Sequence, residues 1–117
     1  MTSSTISVNF NDTAQKTVFT ATEKCILKLV SEQTGTNNTA TFKLNSTNIG
    51  NYYGYLSSFQ GINRSLANLL SFSSAAGTNE SHPTALILYL EEGDTVYATR
   101  TSNNAFTLSL YSAVFTF

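Results

Sequence analysis

Cysteine occurs once, at Cys25, so the chain can form no intramolecular disulfide and matches none of the multi-cysteine zinc patterns. Charge is nearly as scarce. Asp, Glu, Lys and Arg make up 11% of the 117 residues, against roughly 25% in ordinary soluble domains. Six basic and seven acidic residues almost cancel and no basic run occurs, so the chain lacks the electrostatic footprint that a nucleic acid backbone or an anionic membrane would need. No apolar stretch approaches the roughly 18 to 20 residues that cross a bilayer, so membrane insertion is not expected. Met1 to Thr5 carries neither the basic region nor the apolar segment of a secretory signal. No linker and no internal repeat of roughly 20 to 50 residues interrupts the sequence, and one domain over residues 1–117 is expected.

Neutral polarity fills the place of charge: 18 threonines, 15 serines and 12 asparagines account for 45 of the 117 residues. That composition is typical of proteins exposed outside cells, whereas the single cysteine and the absent signal indicate synthesis in a reducing cytoplasm. A component of a bacterial virus particle, assembled in the host cytoplasm and exposed on the particle surface, satisfies both.

The strongest pattern is alternation with period two, which marks half-buried strands. Ile6, Val8 and Phe10 alternate with polar residues, and Val18 to Thr22 is a second short run. Cys25, Leu27 and Leu29 share one face of the next run while Ile26, Lys28 and Val30 share the other, the lysine marking the wetter side. Ala40, Phe42 and Leu44 form an apolar face that ends at a turn over Asn45 to Asn48. Ala85 to Leu90 is a continuous apolar run, Glu91-Glu92-Gly93-Asp94 a turn and Thr95 to Arg100 another strand. Phe106, Leu108 and Leu110 alternate, and Val114 to Phe117 closes the chain as a further strand. Residues 65–72 satisfy both a strand and a one-turn helix. Eight or more strands at roughly 8 to 12 residue spacing indicate an all-β, antiparallel sandwich or barrel, of which the two-sheet sandwich is the fold expected.

Four segments, in this order, resemble the trimeric jelly-roll heads of the complement-recognition and tumour-necrosis-factor class. Val18-Phe19-Thr20-Ala21-Thr22 running into Ile26-Leu27-Lys28-Leu29 is similar to the early strand pair, and Thr41 to Thr47 to the strand and Asn turn that follow. Leu86 to Tyr97 looks like the apolar strand, Gly-Asp turn and next strand, with Gly93 placed where positive φ is needed. Ser112 to Phe117 resembles the closing strand. The resemblance implies a jelly-roll homotrimer without catalysis or cofactor, as in bacteriophage fibre tips and capsid decoration proteins, with other virion proteins and a host surface glycan or receptor as partners. A lectin-type carbohydrate-binding sandwich is the alternative.

Individual residues are read on the same footing. His82, the only histidine, precedes Pro83 and reads as an exposed loop residue, and Cys25 as a small buried apolar residue. Glu91, Glu92 and Asp94 read as a solvated turn, because adjacent positions do not provide two carboxylates facing across a cleft. Five Asn-x-Ser/Thr triplets starting at Asn11, Asn37, Asn45, Asn63 and Asn79 are about what this composition produces by chance. Tyr52, Tyr53, Tyr55 and Phe59 form the candidate recognition or subunit-contact patch, since tyrosine joins apolar area to a polar tip. Val114, Phe115 and Phe117 are the candidate oligomer contact. No metal site is expected.

Overall fold

A computed structural model describes residues 1–31, 38–53, 56–58 and 85–117. Nine strands occupy them: β1 (Thr2–Phe10), β2 (Lys16–Thr20), β3 (Cys25–Ser31), β4 (Ala40–Leu44), β5 (Thr47–Tyr52), β6 (Leu56–Ser58), β7 (Ala85–Leu90), β8 (Thr95–Arg100) and β9 (Phe106–Thr116). No helix occurs among the described residues. The choice between strand and helix for residues 65–72, the loop reading of His82, and Tyr55 and Phe59 lie outside them.

The pairing is that of one long hairpin. β1 pairs with β9, β2 with β8, β3 with β7 and β4 with β5, each antiparallel and each nested inside the one before. The bend falls at Asn45-Ser46, where Asn45 adopts φ 55°, a left-handed conformation that asparagine tolerates better than most residues. Rolling the hairpin adds β3 to β9 and β4 to β8. Two sheets result, ordered β1-β9-β3-β7 and β2-β8-β4-β5-β6, with β6 an addition at the edge beside β5. This order is the jelly-roll connectivity, and the two sheets pack face to face as an antiparallel sandwich.

Period two decides what lies between them. β3 presents Cys25, Leu27 and Leu29 inward, β7 presents Leu86, Leu88 and Leu90, and β9 presents Leu108 and Leu110. From the opposite sheet come Val18, Phe42, Ile49, Tyr52, Leu56 and Val96, all buried. Each such side chain removed from water contributes on the order of 1.5–3 kcal/mol, which offsets the ordering of the chain without any covalent staple.

One end of the sandwich is tied by three connections. Ala21 N–H donates to Asp94 O and Gly93 N–H to Ala21 O, both at 2.8 Å. Asn45 N–H donates to Thr95 O at 2.8 Å, and the Asn45 side chain works both ways, its Nδ2 donating to Asp94 Oδ1 and its Oδ1 accepting from Thr95 N–H, both at 3.1 Å. The turn itself closes through Asp94 N–H donating to Glu91 O, with Gly93 at φ 92°. The positive φ expected of Gly93 is present.

Candidate interaction surface

The two sheets differ in what they show to water. Outward positions of the second sheet are Thr17 on β2, Thr95, Tyr97 and Thr99 on β8, Thr41 and Lys43 on β4 and Asn51 on β5, a mostly hydroxyl and amide surface on which Thr41 Oγ1 donates to Asn51 Oδ1 at 3.2 Å.

The first sheet is apolar on both sides. Its outward residues lie in three cross-strand rows across β9, β3 and β7: Phe115, Ile26 and Tyr89; Ala113, Lys28 and Ile87; Tyr111, Val30 and Ala85. Phe117 extends the first row beyond the strand, its ring centroid 5.7 Å from that of Tyr89. Tyr111, Phe115 and Phe117 are 49%, 42% and 73% exposed, which makes them, with Met1 and Tyr53, the large apolar residues most open to solvent among the described residues. On its β1 side the face ends in hydroxyls, Ser3 beside Ala113 and Thr5 beside Tyr111.

Two lysines stand on or beside this face. Lys28 stands in the middle row, where a lysine can lay its methylene stem over apolar neighbours and keep its ammonium at the rim. Lys24 Nζ lies 5.6 Å from the Tyr89 ring centroid and 6.0 Å from that of Phe117, within the range of cation–π attraction. The Tyr89 hydroxyl, aided by Glu91, holds the Lys24 ammonium above its ordinary pKa.

The expected contact residues divide between this face and the core. Phe115 and Phe117 belong to the face. Val114 does not: successive strand residues point to opposite sides, so it turns inward and packs half-buried against the core. Tyr52 also has to be withdrawn from the recognition patch. It pairs with Ala40 on the inward side of β5, is 2% exposed, and stacks on Phe106 with centroids 6.1 Å apart, so its ring is open neither to a sugar nor to a second subunit. Tyr53, one position further, is exposed. Tyr111 is the exposed aromatic of this face that the sequence reading left out. Its signal was a lone aromatic between Leu110 and Ser112, where the alternation changes face.

At the rim between the sheets a cleft of about 370 Å³ is lined by Thr2, Phe19, Thr20, Thr22, Glu23, Cys25, Val114 and Thr116. Cys25 is buried, and that burial, together with Glu23 and Asp94, pushes its thiol above the ordinary pKa, the opposite of what a nucleophile requires. Asp94 accepts from Asn45 through one oxygen and from Glu91 N–H at 2.9 Å through the other, so its carboxylate serves the turn. No group of three histidine, cysteine or acidic side chains is placed to hold a metal ion among the described residues.

Comparison with models of known families, with characterised proteins and with solved structures returns no match.

Proposed function

We propose that this chain is a non-enzymatic structural protein of a bacteriophage particle, a capsid decoration or fibre-tip head that assembles as a homotrimer. The observation that carries the reading is the aromatic outer face of the β1-β9-β3-β7 sheet. Exposed apolar patches rimmed by polar groups mark protein contacts in soluble proteins, and tyrosine and phenylalanine are the residues enriched at such contacts. A second copy of the same chain is the partner always present at sufficient concentration. The number three comes from the resemblance to jelly-roll heads, and the Ser-, Thr- and Asn-rich composition with few charges fits a particle surface.

Light scattering on the purified protein tests the assembly. Three-fold association gives a multiple of three times the 12.7 kDa chain mass, and Phe115→Asp combined with Tyr111→Asp, both at exposed positions, should reduce it three-fold while the circular dichroism spectrum is unchanged. A mass that is not a multiple of three chains removes the trimer. Immuno-electron microscopy with an antibody to the chain tests the location: labelled phage particles are expected, and labelling confined to other cell material would sink the virion assignment.

A further inference from the structure

We propose that the free edge of β1 is a second self-association site, at which two copies pair their β1 strands antiparallel across a two-fold axis and join their four-stranded sheets into one of eight strands. The inference is independent of the aromatic face, because it concerns backbone groups along an edge.

Four strands border the two sheets: β1, β7, β2 and β6. Natural sheets block such borders with short strands, bulges, lysines or covering segments. β6 has three residues, and β2 has five, with a register shift between Thr17 and Phe19 and with Lys16 bound to Asp12 at 2.8 Å. Every residue of β7 is at least partly buried, and β6 lies against this strand. β1 uses none of these devices. It runs nine residues in unbroken register with β9 and carries neither charge nor proline. Thr2 to Thr5 and Ser7 are exposed, so both faces of its first half are open to an approaching strand.

The sequence also suits pairing with itself. A two-fold axis centred on a strand residue sets that residue opposite its own copy, where a lysine or glutamate would meet a like charge; residues 2–8 of this edge hold only hydroxyl and apolar groups. Phe10 O already accepts from Arg100 Nη1 at 3.3 Å, which stops the pairing short of that residue. Centring the axis on Thr5 satisfies this limit. Ser3 then faces the partner's Ser7 and Thr5 the partner's Thr5 on the outer side, a ladder of hydroxyl pairs, while Ser4 faces the partner's Ile6 on the inner side. Such a contact consumes both free edges and therefore closes on itself, unlike a head-to-tail addition that would grow into fibres.

The test is light scattering over a concentration series on the wild type and two double variants at exposed positions, each checked by circular dichroism. Wild-type protein should give an even multiple of the chain mass, two copies if the edge acts alone and six if the three-fold contact also forms. Ser3→Lys with Ser7→Lys sets like charges opposite each other and should halve that mass. Ser3→Lys with Ser7→Glu sets lysine opposite glutamate and should retain it. A wild-type mass of one or three chains overturns the proposal, as does the same response from both variants. A mass of two chains upholds it while removing the trimer, so the two readings fail separately.

Discussion

Gly93 is the residue at which backbone conformation alone can be tested. At φ 92° a side chain is strained whatever the space around it, and an added Cβ would meet no atom within 4 Å, so a substitution there carries no steric clash to confuse the reading. Gly93→Val should therefore cost roughly 1 to 3 kcal/mol in urea denaturation, with Gly93→Asn milder; equal and negligible effects would contradict the turn geometry. Asn45→Ala removes two side-chain hydrogen bonds while keeping a left-handed backbone, and a loss of roughly 1 to 3 kcal/mol is expected. Cys25 sets a pH dependence. Burial raises its thiol above the ordinary 9.0 and the Tyr52 hydroxyl above the ordinary 10.0, so the folded state favours both neutral forms. Their contribution is complete below about pH 9 and is lost as pH rises, because the unfolded chain then releases protons that the folded chain retains. Thermal melts from pH 8 to 11 should show a falling midpoint, and Cys25→Ala should lessen the fall; a midpoint that rises would contradict the assignment. Cys25→Asp, by placing an unpaired carboxylate in the same site, should cost several kcal/mol.

At the scale of elements, β9 is the strand to test. Ser112 lies within it between Ser4 of β1 and Leu29 of β3, so Ser112→Pro deletes a ladder hydrogen bond from a strand paired on both sides and should prevent folding. Ser3→Pro, on the border strand, should leave the circular dichroism spectrum unchanged. The same serine explains what the sequence concealed. Alternation reveals a strand only where polar and apolar residues take opposite faces, as in β4 and β8. In β9 the run breaks because Ser112 occupies a core position, its Oγ donating to Ser4 O at 3.0 Å, and one strand of eleven residues reads as two. β1 starts earlier than its pattern, since Thr2 to Thr5 are exposed on both sides and carry no burial signal. β5 was concealed by the register shift between Phe42 and Lys43, which leaves Ile49 and Gly50 buried in succession. Of the apolar outer face, Phe115 and Phe117 were legible as an aromatic pair. Its breadth was not, because the rows that hold Ile26, Tyr89 and Tyr111 exist only once β3 is seated between β9 and β7.

For the whole molecule, the order of strands in the sheet differs from their order along the chain, and this bears on how the protein is made. Thr2 pairs with Val114, and β9, which follows every other strand in the sequence, is the one that fills the gap between β1 and β3. Until residues 106–116 have left the ribosome, β1 and β3 have no strand between them, and Val8, Phe10, Leu27 and Leu29 have no Leu108 or Leu110 to pack against. The sandwich therefore closes only after residues 106–116 have left the exit tunnel. Pairings between the two ends of a chain are also slow to find, so refolding by stopped-flow fluorescence should take milliseconds to seconds, the range of topologies dominated by distant contacts. A nascent chain arrested before residue 106 should remain protease-sensitive at every length, and resistance appearing in one step once β9 emerges is the outcome expected of a fold that its final strand completes.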